Sequence, residues 1–479
     1  MKLLEPLNIN GMVIPNRVMV PAMVTHLCTE DGFVNDQVIE RYRRYAQGGT
    51  GLIVVEAMAI HQNKSGALLR ICDDKFVPGL RELAKRVHDV SDAKVVPQII
   101  HFTKVARSGW RQTIDTLSVE EIDLIVEQFG DAAARAREAG FDGIELHSAH
   151  AYTLSSFLSR RNPRRDEYGE TLEGRLRLIG RVMERVRGKV GRDFPVGVRF
   201  NAEEFIKDGY GVEESRLIAR RFAELGFDYL SLSVGGKFED AVHTPGQVLF
   251  PYSGYSGDRA MPGDWFPRAL NADLAGRIKA YLVENGCTVP LAIAGKLADP
   301  EDAERVLAEG RADIAGIARG LLADPDWTNK VRRGELERIV RCDYCNLCKQ
   351  LDGTHKPVVC GGLWPQGALQ APEDDPTAQP PRWDDTGAGL TASVKGSKVA
   401  LRWRKAPGAA HYNIYRTEDG RSVRVVDAVK ATNWTDGSIL AGWRYRYHVR
   451  AIAPSGQAGV PSNAATVELE RPEYMAAAR

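Results

Sequence analysis

The chain lacks any apolar run close to the roughly 18 residues that a membrane-spanning helix needs, so no membrane span is expected. It also lacks an excess of charge of either sign: Lys+Arg total 64 and Asp+Glu 63, a net charge of +1. A surface built to hold nucleic acid is therefore not expected. The N-terminal segment MKLLEPLNINGMVIPNR has neither an uninterrupted apolar core nor a small-residue cleavage site, which argues against a secretory signal. No G-x-G-x-x-G occurs, so the usual dinucleotide-binding fingerprint is missing. Cysteine is scarce until late: there are 7, and Cys342, Cys345, Cys348 and Cys360 crowd together. An odd count with such crowding fits metal or cluster ligation in a reducing, cytoplasmic compartment better than a disulfide framework.

What is present is the composition of a folded globular protein, 43% hydrophobic and 27% charged. At 479 residues the chain is too long for one ordinary domain. Short apolar runs at residues 18–23, 52–57, 95–100, 143–148, 196–201, 229–235, 291–296 and 312–319 read as strands. Residues 39–47, 79–90, 118–139, 173–187, 213–225 and 300–309 carry apolar side chains at the spacing of amphipathic helices. Strands alternating with helices in this way predict an α/β fold, a parallel (β/α)8 TIM barrel, with a doubly wound sheet as the alternative. Residues 7–16, with an Asn10-Gly11 turn, predict a small hairpin closing the barrel's bottom.

Functional side chains of a barrel gather at the carboxyl ends of its strands. That makes GFDGIELHSAHAY, residues 140–152, the most informative stretch. Its strand delivers His147, His150 and Tyr152 to the rim, three side chains with ring N–H or O–H donors. The bland readings are satisfied surface histidines or a zinc pair, and the second lacks a third ligand at the usual spacing. The same rim receives Pro21, Met23, Ala57, Gln98, His101, Arg199, Ser233, Gly295, Lys296, Ala318 and Arg319. Gly295, Lys296, Ala318 and Arg319 follow the last two strands, where barrels hold phosphate on backbone N–H groups. Gln98 can both donate and accept, and Arg199 can stabilise negative charge on an electron-rich ring.

The segments LNINGMVIPNRVMVPAM, DGFVNDQVIERYRRYAQGGTGLIVVEA, QIIH, GFDGIELHSAHAYTLSSFLSRRNPRRDEYGETLEGR, VGVRFN and ADIAGIARGLLADPDW are specific together. On them the barrel resembles the Old Yellow Enzyme family of FMN-dependent oxidoreductases over essentially its whole length. The resemblance implies a noncovalent FMN across the barrel mouth. Pro21, Met23 and Ala57 would contact the flavin, Gln98 its pyrimidine edge, and Arg199 its N1 and O2. Gly295, Lys296, Ala318 and Arg319 would hold the phosphate. His147 and His150 would bond the substrate's carbonyl or nitro oxygen, Tyr152 would donate the proton, and NADH or NADPH would supply electrons. Two departures stand out. The family's Q-x-x-H-x-G-R reads Gln98-Ile-Ile-His101-Phe-Thr-Lys104 here, and the phosphate-site arginine is Lys296, which keeps the charge but loses the fork geometry.

Cys342, Cys345 and Cys348 stand at C-x₂-C-x₂-C, with Cys360 downstream. Spacing alone leaves a [4Fe–4S] cluster and a Cys₄ zinc site both open. The family's iron–sulfur subgroup (2,4-dienoyl-CoA reductase, 2-enoate reductase, trimethylamine dehydrogenase) is similar here too, and implies the cluster. The last of these links its flavin to a cysteine at the position of Met23, and Cys28 lies too far along, so no covalent link is expected. The barrel is expected over residues 1–336 and the four-cysteine segment over 337–364.

Beyond Cys360 the resemblance stops. Residues 365–388 read as a linker, 389–470 as an all-β sandwich resembling a fibronectin type III domain, and 471–479 as a tail. Trp403, Tyr412, Tyr415, Tyr445 and Tyr447 are its expected core, with turns at Asp419-Gly420 and Ser455-Gly456. The implied activity is reduction of an activated C=C bond in a small unsaturated substrate. Amine dehydrogenation or demethylation, and a non-catalytic flavin-binding or scaffolding protein, are the alternatives. With no nucleotide-binding domains following, an electron-transfer protein joins NAD(P)H as a candidate donor, and a homo-oligomer is expected. The loop 237–267, with Phe238, His243, Phe250, Tyr252, Tyr255 and Trp265, is expected to shape the pocket.

Overall fold

The computed structural model describes the chain apart from residues 64–65, 104–111, 237–253, 362, 366, 376–379, 419–420, 441–442, 455–457 and 470–479. Lys104, the loop residues Phe238, His243, Phe250 and Tyr252, both sandwich turns and the tail lie outside the described residues.

The chain opens with the hairpin β1 (Leu7–Ile9) and β2 (Met12–Ile14). Its two-residue turn puts Asn10 and Gly11 at φ 48° and 84°, the left-handed geometry that matches the twist of paired strands. Ile9, Met12 and Ile14 plug the barrel floor against Met19, Leu52, Val54, Val96 and Tyr229. Eight parallel strands follow: β3 (Val18–Val20), β4 (Leu52–Ala59), β5 (Lys94–Ile100), β6 (Ile144–Ser148), β7 (Val196–Asn201), β8 (Tyr229–Ser233), β9 (Leu291–Ala294) and β10 (Ile314–Gly316). They close in sequence order, β10 pairing back onto β3. Most of their residues are buried on both faces, because helices cover the outside and side chains fill the inside.

The helices are α1 (Asp36–Gln47), α2 (Val77–His88), α3 (Val119–Glu138), α4 (Thr153–Leu158), α5 (Leu172–Val190), α6 (Val212–Glu224), α7 (Gly254–Ala260), α8 (Ala272–Glu284), α9 (Pro300–Ala308), α10 (Ala318–Ala323), α11 (Trp327–Arg333) and α12 (Leu347–Gly353). Several are started by their own sequence. Asn35 accepts the Val38 N–H ahead of α1, and Ser118 and Glu121 form a reciprocal capping box on α3. Asp299 caps α9 with Pro300 in the first turn. Among the described residues no helix is long and apolar enough to cross a membrane.

The C-terminal region builds two antiparallel sheets. One holds β11 (Thr391–Lys395), β12 (Lys398–Arg402) and β15 (Asn433–Asp436). The other holds β13 (His411–Glu418), β14 (Arg421–Val429), β16 (Arg444–Ile452), β17 (Ala458–Pro461) and β18 (Ala465–Glu468). Val399, Leu401 and Trp403 of the first side pack on Tyr412, Ile414, Tyr445, Tyr447 and Val449 of the second, which makes a sandwich. Tyr447 Oη and Arg416 Nη1 both donate to Asp436 Oδ2, at 2.9 and 2.8 Å, so the buried carboxylate is satisfied. Tyr415 is the exception to the expected core. It is buried, but on the outer face of its sheet, stacked on His448. The aperiodic stretch read as a linker is tied to the barrel. Arg41 donates to Leu369 O at 2.8 Å, Arg44 to Pro372 O at 3.0 Å, and Asp374 pairs with Lys330 and Arg338. Backbone carbonyls meeting barrel arginines leave no apolar period in the sequence.

The tightest fit inside the barrel is at Gly197, where an added Cβ would lie 2.1 Å from Tyr229 Cζ. Gly197→Ala should lower unfolding stability by about 1–3 kcal/mol through overpacking, measured by denaturant titration. Unchanged stability would mean that the Tyr229 ring moves aside freely.

Candidate functional site

A cavity of ≈ 300 Å³ opens at the carboxyl ends of the strands. Pro21, Met23, Ala57, Gln98, His147, His150, Tyr152, Arg199, Gly295, Lys296, Ala318 and Arg319 all line it, although up to 298 positions separate them in sequence (319 − 21). His101 does not line it. It is buried one step outside, with Nδ1 2.7 Å from Thr153 Oγ1 and its ring against His61 at 4.7 Å.

β6 delivers the donor trio. Ile144 and Leu146 point outward into the helix layer, while Glu145 and His147 point inward, so His147 stands directly above Glu145. After the strand His150 and Ala151 adopt φ 56° and 57°, an uncommon left-handed pair that turns the chain into α4. The turn sets His150 5.2 Å and Tyr152 4.9 Å from the His147 ring, both edge-on. The Ala149 N–H donates to His147 Nδ1 at 3.2 Å, which assigns the proton of the neutral ring to Nε2. His150 Nε2 lies 2.6 Å from Ser233 Oγ.

Beneath these residues lies a carboxylate whose role the sequence reading missed. Glu145 is fully buried; its Oε1 accepts from Gln98 Nε2 at 2.7 Å and its Oε2 from Tyr229 Oη at 3.2 Å. Burial raises its pKa, against the opposing pull of Arg199, Gln98 and Tyr229. With the amide nitrogen of Gln98 engaged by Glu145, its oxygen remains to accept. The period-two alternation of β6 already placed Glu145 on the face of His147, which was the signal available.

At the opposite end of the cavity both expected cations are engaged by protein oxygens, Arg319 Nη1 donating to Pro262 O at 2.7 Å. Lys296 lines it, yet its Nζ donates to the backbone carbonyls of Gly263 at 3.1 Å, Asp264 at 3.0 Å and also Phe266. Burial, with the neighbouring Arg319 charge, holds its pKa down to about 8. Lys296 and Arg319 flank the ring of Tyr344, at 4.6 and 4.9 Å. Gly295, at φ 134°, could not carry a Cβ, which would fall 2.5 Å from Asn271 Nδ2. Arg259, also missed, lines the cavity beside Asn271 at 3.2 Å and stacks on Phe205 at 4.1 Å. Burial lowers its pKa, and Tyr255 and Glu203 oppose that shift.

The cysteine segment meets the cavity directly, since Tyr344, Cys348 and Lys349 are part of its wall. Burial raises the thiol pKa of all four cysteines, Cys342 to about 12, and Arg319 opposes this at Cys342 and Cys348. The four influence one another electrostatically, but among the described residues no three metal-ligating side chains converge tightly enough for a single metal ion. Cys28 is buried, its pKa pushed up to about 12, and does not line the cavity.

Comparison with known proteins gives a consistent family. The profile of the NADH:flavin oxidoreductase / NADH oxidase family matches residues 2–243 and 268–337. The NADH oxidase of Thermoanaerobacter brockii is 35% identical over 360 residues, covering 71% of this chain and 52% of that protein. The cinnamate reductase of Clostridium sporogenes is 30% identical over 373 residues, covering 72% of this chain and 54% of that protein. Among solved structures, 2-naphthoyl-CoA reductase in complex with 2-naphthoyl-CoA superposes with a TM-score of 0.65 at 25% identity, covering 75% of this chain and 56% of that one. The chain thus spans little more than half the length of these relatives.

The buried histidines beside the cavity give a pH dependence. Burial, with Arg70 nearby, depresses His61 to about 4, and burial, with His61 nearby, depresses His101 to about 3. Both lie below the unfolded value of 6.5, so between these limits the unfolded chain binds protons that the folded chain refuses. Stability is therefore full above pH 6.5 and falls on acidification, by about 2 kcal/mol at pH 5 from His101 alone. Tm should drop more steeply between pH 7 and 5 for the wild type than for His101→Gln; parallel curves would contradict this.

Proposed function

The chain belongs to the NADH:flavin oxidoreductase / NADH oxidase family, and on that premise we propose that it is an FMN-dependent reductase of activated C=C bonds. The observation that carries the reading is the convergence of His147, His150 and Tyr152 on one cavity that Gln98 and Arg199 also line. The cavity fits the cofactor. Gly295 brings bare backbone to the cavity wall, Arg319 brings a cation to the same end, and Gln98 and Arg199 offer complementary polar atoms to a flavin edge. Bound FMN, reduced by NADH or NADPH, supplies the hydride.

The protein's own residues supply the rest. Negative charge builds on the oxygen that activates the alkene, and the His147 Nε2–H, with His150 beside it, is fixed in advance to receive it. Fixed donors in a low-dielectric pocket avoid the reorganisation that water would need. Tyr152, at the start of α4, carries the O–H that delivers the proton to the α-carbon. Arg259, a cation in the cavity wall, supports a substrate with an anionic group, as in an unsaturated acid. The edge-on His147–His150–Tyr152 arrangement favours an oxygen-polarising reductase over amine oxidation.

The donor set at the four cysteines matches an iron–sulfur cluster in chemistry: four thiols influence one another, and Arg319 beside Cys342 and Cys348 opposes the rise in thiol pKa that burial causes. A single zinc ion would require the sulfurs within about 2.3 Å of one point, whereas a four-iron cluster takes its thiolates at four separate corners. Cys348 stands in the wall of the flavin cavity, so a cluster held there would store single electrons next to the flavin.

Two measurements test this reading. Tyr152→Phe should leave anaerobic flavin reduction by NADH or NADPH intact and slow reoxidation by an unsaturated acid such as cinnamate about 10²–10⁴-fold. Wild-type reoxidation in that variant would remove Tyr152 from the chemistry. Glu145→Leu, which removes the acceptor, should weaken FMN binding about 10-fold by releasing Gln98, read by fluorescence titration; equal affinity in the folded variant would show that Gln98 needs no anchor.

A further inference from the structure

In an isolated two-sheet sandwich the inner faces pack together and the outer faces meet water. β13 and β16 depart from that rule. Besides the core residues Tyr412, Ile414, Tyr447 and Val449, their outward-facing Tyr415, His448, Arg450 and Ile452 are buried as well, Arg450 at 0% exposure. The four-cysteine segment covers them. Ile452 and Ala458 belong to one apolar cluster with Leu322, Val358, Leu363 and Trp364, and Cys342, Cys348 and Cys360 pack against it.

The polar part of this contact converges on Asp343, the residue after the first cysteine of the set. His448 Nε2 lies 2.8 Å and Arg450 Nε 3.3 Å from Asp343 Oδ2, while Oδ1 accepts the Cys345 N–H at 3.2 Å. Arg450 also donates from Nη2 to Arg341 O at 2.7 Å and from Nη1 to Gly459 O at 3.3 Å. The Tyr415 ring stacks on His448, 4.7 Å apart and 5° from parallel, and fixes its plane. Burial alone would raise the Asp343 pKa, but Arg450 and His448 hold the carboxyl well below its ordinary range. A second ion pair, Arg446 with Asp264, ties the sandwich to the loop whose carbonyls hold Lys296. A buried ion pair persists only when its remaining hydrogen-bonding capacity is met, and here both partners reach backbone on either side.

We propose that the β-sandwich is a built-in cover for the four-cysteine site: Arg450 and His448 latch Asp343, hold the Cys342–Cys345 turn in place and keep reagents in solution off the thiols. The face used is closed to other proteins, so an electron donor would approach from elsewhere. The cover rests on the reading of these cysteines as one ligand set, but not on which metal they hold.

The test uses the full-length protein as isolated, with iron and zinc quantified. Metal release to a chelator is timed for wild type, Arg450→Gln, His448→Gln and Arg402→Gln, the last an exposed residue of the other sheet. Iodoacetamide labelling under native conditions is then mapped at Cys342, Cys345, Cys348 and Cys360, with Cys28 and Cys287 as internal references. Arg450→Gln and His448→Gln should speed both processes at least 10-fold, with the reference cysteines and Arg402→Gln unchanged. Rates within twofold of wild type would overturn the proposal. If Arg450→Gln also exposes Cys28, which marks global loss of structure, Asp343→Asn decides by the same comparison. Metal content separates the two readings: protein without iron loses the cluster, whereas the labelling rates still decide the cover.

Discussion

The pairing of β10 with β3 as well as β9 is the contact on which the site depends. It closes eight parallel strands into a ring, and a closed parallel ring sends every carboxyl end to one rim. Pro21 and Met23 after β3 then stand beside Ala318 and Arg319 after β10, although almost the whole barrel sequence separates them. The hairpin β1–β2 seals the opposite end with apolar side chains, which leaves the carboxyl-end rim to hold the cavity. Everything proposed for catalysis assumes that geometry before any side chain acts.

Within the ring, charge is buried only where partners meet it. Glu56 accepts from Thr25 N at 2.8 Å and Thr25 Oγ1 at 2.6 Å, tying the first rim loop to the next strand. Glu145 holds Gln98 from below, Lys296 is capped by carbonyls, and Asp343 is clasped from the sandwich. Each is an unsatisfied-charge problem solved locally, and each solution fixes a loop or side chain at the cavity.

Much of this was legible in the sequence. The eight strands read from apolar runs are the eight strands of the barrel, and the Asn10-Gly11 turn makes the hairpin, because local pattern and local geometry coincide there. The rim residues also follow from strand order once the barrel is assumed. What escaped depends on direction rather than identity. Lys296 keeps its place but turns its ammonium to residues 263–266, which no spacing encodes. Tyr415 looks like any sandwich aromatic, yet strand alternation puts it on the face opposite Tyr412 and Ile414, and it is buried there because the cysteine segment covers that face. Residues 369–374 read as a linker because arginine-to-carbonyl contacts leave no hydrophobic period. Arg259 lies in the loop expected to shape the pocket, but that expectation rested on the loop's aromatic residues, and no pattern singled out the arginine.

The proposed coupling of a flavin at the barrel mouth to a cluster on the four cysteines turns on Cys348, which lines the cavity wall. An anaerobic visible spectrum of the purified protein, with released FMN, iron and zinc quantified on the same sample, tests it most directly. The account predicts one FMN and about four irons per chain, with flavin bands riding on a broad shoulder near ~400 nm. A protein with no flavin would contradict the enzyme reading, and FMN with zinc in place of iron would contradict the coupling.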